Sequence, residues 1–179
     1  MDPGFLTYHE WDTRRQYLRS PRAHSLVMVG EGDYRTGESE VVEWKRTAEG
    51  DWVTGYHVLP GARHTRRVLF IPPQQVVITD EIAPTGREIA WRQLFQVAPD
   101  LAVHVIDNQT VELIAPEGTK CIISQNRPGK WHVIAGQTQP RLQGWYSERY
   151  GDWQPGKTVV FEPGRGVGKV TTEISMLRR

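Results

Sequence analysis

The sequence predicts an all-β protein, an antiparallel two-sheet β-sandwich of the super-sandwich type. Three observations carry that expectation. Glycine and proline, 17 and 12 of the 179 residues, are scattered so evenly that hardly any window could sustain a helix. Short β-branched and aromatic runs alternate with turn residues roughly every ten positions. The runs add up to about a dozen, more than one flat sheet comfortably holds, so two stacked sheets are expected.

The elements follow in chain order. His9–Leu18 is the only segment that could hold a helical turn, and Pro21 stops anything longer. Strands are expected at Ser25–Val29, Val41–Lys45, Trp52–Val58, Arg67–Ile71, Val76–Thr79 and Trp91–Val97. Further strands are expected at Ala102–Ile106, Thr110–Ile114, Cys121–Ser124, Trp131–Ile134, Thr158–Phe161 and Lys169–Ile174. Val103-His104-Val105-Ile106 and Thr110-Val111-Glu112-Leu113 alternate apolar with polar, as expected of a sheet with one wet side. Asp107-Asn108-Gln109 between them has the length of a hairpin connection. Pro72-Pro73, Ala83-Pro84-Thr85-Gly86 and Pro163-Gly164-Arg165-Gly166 read as loops. No repeat, low-complexity tract or linker interrupts the chain, so residues 1–179 are expected to form one domain.

Composition narrows the function classes. Lys+Arg is 22 and Asp+Glu is 21, so no global basic field draws in nucleic acid. The single Cys121 excludes an internal disulfide framework and a multi-cysteine zinc site, and its apolar strand makes it a core residue. No apolar run approaches the ~18 residues of a membrane span, so no membrane partner is expected. Met1-Asp2-Pro3-Gly4 lacks the basic and apolar regions of a signal peptide. The chain is therefore expected to be cytoplasmic or a piece of something longer.

Few residues invite chemistry. There is no Gly-x-Ser-x-Gly elbow, and Gly164-Arg165-Gly166-Val167-Gly168 lacks the lysine and helix of a phosphate loop, so it reads as a turn or bulge. Of six histidines none forms a His-x-His pair. His104 and His132 fall on solvent-facing or networked strand positions, and His57 and His64 flank a turn at Pro60-Gly61. Trp44, Trp52, Trp91 and Trp131 fit strand spacing as core residues, whereas Trp11, Trp145 and Trp153 fall near loops, where an indole could stack on a sugar ring. The amino-terminal stretch stands apart. Arg14, Arg15, Arg19 and Arg22 are four arginines within nine residues, near Asp2, Tyr8, Tyr17 and His24. This is either a solvated loop or a pocket for an acidic ligand, since the guanidinium fork matches carboxylate and sulfate oxygens in pairs. Asp, His and a third ligand would suit zinc.

Asp2-Pro3-Gly4-Phe5-Leu6-Thr7-Tyr8, followed by Arg15-Gln16-Tyr17-Leu18-Arg19-Ser20-Pro21-Arg22-Ala23-His24-Ser25, resembles the start of the β-domain in the heparinase II/III family of polysaccharide lyases. The family pattern is Asp-Pro-Gly-x-x-x-Tyr, then Arg-x-Tyr-x-Arg-Ser-x-x-x-His-Asn, with Ser25 here at the usual asparagine. Gly55-Tyr56-His57, His64-Thr65-Arg66 with Val68-Leu69-Phe70, and Ile78-Thr79-Asp80-Glu81 are similar to its later strands. Gly144-Trp145-Tyr146-Ser147-Glu148-Arg149-Tyr150-Gly151 is similar to its carboxy-terminal motif.

The resemblance implies an antiparallel β-sandwich that follows an α/α toroid, with the active site at their junction and β-elimination of uronic-acid polysaccharides such as heparan sulfate or alginate as the activity. It implies zinc ligands at Asp2 and His24. The third ligand and a catalytic histidine would come from a His-Gly-His stretch upstream, and a catalytic tyrosine and asparagine from the toroid; this chain has none of these. What it offers is Arg15, Arg19 and Arg22 to neutralise the substrate carboxylate, and Tyr8 or Tyr17 as proton donor. The expected function is that of the carboxy-terminal β-domain of a lyase acting on an acidic polysaccharide, inactive alone, and periplasmic or extracellular if cut from such an enzyme. The alternatives are a non-catalytic carbohydrate-binding or structural module, and a contact domain in a homo-oligomer or against the missing toroid.

Overall fold

A computed structural model describes residues 2–30, 33 and 37–177. The strands, in chain order, are β1 (Val27–Val29), β2 (Ser39–Arg46), β3 (Asp51–Leu59), β4 (Ala62–Ile71), β5 (Gln75–Pro84), β6 (Trp91–Val97) and β7 (Ala102–Val105). They continue with β8 (Thr110–Ile114), β9 (Lys120–Gln125), β10 (Lys130–Ala135), β11 (Trp145–Tyr146), β12 (Gln154–Pro155), β13 (Lys157–Glu162) and β14 (Lys169–Leu177). Each apolar run of the sequence lies in or overlaps one of these strands. The very short β11 and β12 have no such run. No helix among the described residues is long and apolar enough to cross a membrane.

The chain divides into two compact units. The first comprises Met1–Tyr34, Trp91–Leu101 and Trp131–Glu162. Its sheet has the order β1-β6-β13-β10, with the small β11-β12 ribbon beside it in sequence. Helix α1 (Thr13–Leu18) begins where the Asp12 side chain accepts from the Arg14 N–H as N-cap. The Arg14 guanidinium also binds Asp12, and holds its carboxyl down to about 2. At the other end the Ser20 hydroxyl donates to the Tyr17 carbonyl at 2.7 Å, and Pro21–Ala23 turns as a 3-10 helix. Two apolar clusters sit in this unit. Leu6, Tyr17, Leu18 and Ala23 pack with Leu142, Trp145 and Trp153. Met28, Leu94 and Val160 pack with Leu26 and Ile134.

The second unit comprises Arg35–Ala90, Ala102–Lys130 and Pro163–Arg179. Its sheet has the order β2-β3-β4-β5-β14-β9-β8-β7. Two meanders, β2 to β5 and β7 to β9, are separate in sequence, and β14 joins them by pairing antiparallel with β5 on one side and β9 on the other. Its edges explain two departures from expectation. Trp44, expected in the core, is 72% exposed because β2 is an edge strand with a bulge between Val41 and Glu43. The alternation of Val103 to Ile106 buries little, because β7 is the opposite edge. One strand further in, the same alternation on β8 does bury Val111 and Leu113. Trp52 is half-buried, with Arg67 4.6 Å and Lys45 5.5 Å from its ring centre.

A charged network lies within this sheet. The Pro60-Gly61 turn pairs Leu59 with Ala62 and thereby sets His57 opposite His64. Arg66, two positions along the same strand, faces Asp80 on β5. Asp80 is fully buried and accepts from His64 Nε2 at 2.6 Å and from Arg66 Nε and Nη2 at 2.7 and 2.9 Å. Burial by itself would raise the Asp80 carboxyl, but the hydrogen bonds from His64 and Arg66 outweigh it and hold the group ionised. His64 Nδ1 faces His57 Nε2 at 3.4 Å. Burial first, then the charges of His64 and Arg66, bring His57 down from 6.5 to about 4.

A pH dependence follows from the depressed His57. Between about 4 and 6.5 the unfolded chain binds the proton that the folded chain refuses, so stability falls as pH falls through that window. Urea unfolding is expected to show a lower midpoint near the acid end of this range than at neutral pH. In His57→Gln that part of the decline should disappear. The contribution of Asp80 lies lower, lost only as pH drops below the ordinary carboxylate value. An unchanged pH profile in the variant would contradict the assignment.

Candidate functional site

The arginine-rich amino terminus lies within the first unit, and three devices hold it. The Asp-Pro-Gly turn is closed by the Asp2 carboxylate, whose Oδ1 accepts from the Gly4 N–H at 2.8 Å. Gly4 then bridges Ser147: the Ser147 N–H donates to the Pro3 carbonyl at 2.9 Å and the Phe5 N–H to the Ser147 carbonyl at 3.3 Å. The Gly151 N–H donates to the Leu6 carbonyl at 2.9 Å. The first and last family-like motifs of the sequence are thus laced together. Gly4 has φ of 80°, and a Cβ there would stand 1.7 Å from the Ser147 carbonyl oxygen, so only glycine permits the approach.

Tyr17 is the second device. Although the sequence offered it as a proton donor, it is 2% exposed, and its hydroxyl accepts from the backbone N–H groups of Gly144 and Trp145 at 3.1 and 3.3 Å. Its ring meets Trp153 edge-on, and burial pushes the phenol above its ordinary value. A phenol so enclosed and occupied positions the 144–151 segment and is not free to protonate a polymer. The third device is a buried amide network. Gln96 Nε2 donates to the carbonyls of Arg22 and His24 at 2.9 and 3.3 Å. Gln143 Nε2 donates to the same Arg22 carbonyl and to Thr158 Oγ1, both at 2.8 Å, and Thr158 Oγ1 donates to Gln96 Oε1 at 2.9 Å. Sequence reasoning passed over Gln96 and Gln143. The signal for Gln96 was its place in the otherwise apolar end of Trp91–Val97, where a buried polar group must have partners.

The other expected residues are distributed as follows. Tyr8 is 75% exposed, its ring 4.8 Å from Phe5 and 5.8 Å from Tyr150. Arg15 lies over the same Phe5 ring at 5.4 Å and donates to the Thr7 carbonyl at 2.8 Å. Phe5 therefore brings Tyr8 and Arg15 together at an exposed surface, to which Trp11, 89% exposed, is near in sequence. Arg19 is exposed at the helix C-cap. Arg22 points elsewhere: its side chain is only 12% exposed and Nη2 pairs with Asp33 Oδ2. Trp145 and Trp153 stack on each other at 4.9 Å, and Trp145 Nε1 donates to the Gln137 carbonyl, so both are structural. Asp2 is exposed and His24 half-buried. Among the described residues no group of three or more His, Cys, Asp or Glu side chains forms a metal site. Zinc takes three or four protein ligands, so Asp2 and His24 alone do not make a complete zinc site.

Two substitutions test this architecture. Gly4→Ala is expected to destabilise by at least ~1 kcal/mol from the left-handed backbone alone, with more from the collision with Ser147. Gln143→Leu leaves the Arg22 carbonyl and the Thr158 hydroxyl each short of a partner and is expected to cost about 1–3 kcal/mol. Both are read from urea unfolding. A neutral Gln143→Leu would show that the amide network does not hold the 22–24 segment.

Comparison with known proteins gives a consistent picture. The sequence matches the family described as heparinase II/III-like, C-terminal, over residues 1–175. No curated protein matches it. The structure is similar to heparan sulfate lyase HepC from Pedobacter heparinus, with TM-score 0.84 and 15% identity over 99% of this chain and 28% of that one. It is similar to a heparinase III with methylated lysines at TM-score 0.82 and 18% identity, again over 99% and 28%. A further heparinase III gives 0.79 and 14% identity, over 98% and 27%. The chain thus spans little more than a quarter of the length of these structures. The likeness runs along its whole length and shows the fold expected, an all-β antiparallel β-sandwich. With its matched stretch taking in nearly every residue, the chain belongs to the heparinase II/III-like C-terminal family.

Proposed function

We propose that the chain serves as the carboxy-terminal β-domain of a polysaccharide lyase, one that cleaves uronic-acid polysaccharides by β-elimination and needs an amino-terminal toroid to do so. The observation that carries this reading is the exposed surface at Phe5, where a phenol (Tyr8) and a guanidinium (Arg15) meet one ring beside the Asp-Pro-Gly turn. Elimination removes the proton at C5 of the uronate and breaks the bond from C4 to the leaving oxygen. Negative charge builds on the carboxylate as the proton leaves, so cations there lower the barrier. Arg15 and Arg19 supply that charge at the surface; Arg22, which lines a cavity in the same unit, does not. Tyr8 protonates the departing oxygen, a role for which its open hydroxyl suits it better than the enclosed Tyr17. The base comes from the toroid.

Asp2 and His24 are the two ligands this chain lends to a zinc ion, with the remainder supplied from upstream. The zinc assignment takes part in no step above. Zinc analysis of the protein joined to its toroid is expected to show metal that His24→Ala loses; equal zinc in both would remove His24 from the ligand set.

For the activity, the chain alone is expected to give no ultraviolet absorbance of unsaturated uronate on heparan sulfate or alginate, and the toroid-joined protein to give it. Tyr8→Phe in the joined protein should lower kcat by about 10²–10⁴. A joined, folded protein that binds the polymer and yields no unsaturated ends would instead favour a carbohydrate-binding module, for which the exposed Trp11, Tyr8 and Tyr150 provide stacking surfaces.

A further inference from the structure

The first unit contains a cavity of about 700 Å³ on one face of its four-stranded sheet. That is within the roughly 300–1,000 Å³ in which proteins enclose small ligands. Paired positions make its floor apolar: Leu94 on β6 faces Val160 on β13, and Ile134 on β10 packs with them. The walls are charged. Arg22, Arg92 and Arg141 line it, against a single acidic lining residue among those described, Glu162. His132 Nε2 lies 3.5 Å from the Glu162 carboxylate.

Arg22 makes this more than a depression. Its Nη2 is engaged by Asp33, but Nε and Nη1 are buried with no hydrogen-bond partner. A buried N–H on a cation that lacks an acceptor is costly, and native structures leave few of them. The backbone of Arg22 cannot swing away to relieve this, because its carbonyl is gripped by both Gln96 and Gln143. The side chain lines the wall of the cavity, with Nε and Nη1 covered by protein and left without an acceptor. A guanidinium selects oxyanions, and an apolar floor below it suits the C–H face of a sugar ring.

We infer that this cavity binds the carboxylate or sulfate of an acidic saccharide, as a site separate from the Phe5 surface. The chemical class of the ligand rests on the proposed function; the cavity and the unpartnered Arg22 donors do not. Such a site would hold a second acidic unit of the chain substrate, or a short acidic product.

Three disaccharides titrated into the 179-residue protein, followed by backbone amide shifts, test this: one with an unsulfated uronate, one neutral but for a single sulfate, and one uncharged. At least one acidic disaccharide is expected to move the amides of β10, β13 and residues 137–143, and the uncharged one to leave them still. Which acidic disaccharide binds names carboxylate or sulfate as the group held. Arg22→Gln should weaken binding by about tenfold or more. Arg141→Gln, at an exposed position, should also weaken it, while Arg63→Gln, which removes the same charge away from the lining, should not. No movement with either acidic ligand, equal movement with the uncharged one, or equal weakening by Arg63→Gln would overturn the inference. If the joined lyase turns over while these amides stay still, the cavity site fails and the lyase reading stands. If the cavity binds and no joined form eliminates, the converse holds.

Discussion

The carbonyl oxygen of Arg22 is the point on which the candidate site turns. Two buried side-chain amides, Gln96 from β6 and Gln143 from the loop before β11, both donate to it, and the Thr158 hydroxyl on β13 closes the ring between them. A carbonyl has two lone pairs, and here the protein uses both. The segment that carries Arg22 and His24 has no sheet pairing of its own until Val27, so this polar ring takes the place of a ladder. In a low-dielectric interior each member stabilises the others, and each becomes costly once a partner is lost. The result is a rigid mount for a stretch that would otherwise be a loop of arginines.

A second constraint builds outward from that mount. The Tyr17 hydroxyl reaches the backbone of Gly144 and Trp145, and Gly4 admits Ser147 at a distance no other residue allows. Residues more than a hundred positions apart thereby form one surface. Phe5, Tyr8 and Tyr150 lie on it as exposed rings, with Arg15 over Phe5. Placing these side chains on short segments braced by buried hydrogen bonds keeps them accessible without making them loose. The second unit solves a comparable problem in its interior, where Asp80 gathers His64 and Arg66 from β4 into a satisfied ionic cluster. Removing one member of such a cluster costs far more than the intact cluster contributes.

Much of this is legible in the sequence. The periodic apolar runs found their strands, because alternation reports which backbone stretches can be half-buried in a sheet. The Asp-Pro-Gly turn and the Pro60-Gly61 turn flanked by His57 and His64 were equally readable, since both rest on local geometry; that the two imidazoles face each other came from the strand register. Trp44 and the β7 alternation misled for one reason: spacing says which face a residue takes, not whether its strand is central or at an edge. Tyr17 misled for another, because its phenol is the same chemical group whether it faces a substrate or a backbone amide.

What the sequence determined by itself was therefore the class of fold, most of its strands and the residues with chemical potential, all of which depend on near neighbours. The tertiary structure alone decided that Tyr17 is a brace and Tyr8 a surface group, that Arg22 turns into a cavity while Arg15 stays over Phe5, and that Gln96 and Gln143 hold the mount. Those outcomes depend on which distant segments meet, as where Ser147 meets Gly4 and Gln143 reaches the Arg22 carbonyl. Long-range pairing is set by the free energy of the whole buried interior, and no local window of sequence contains it.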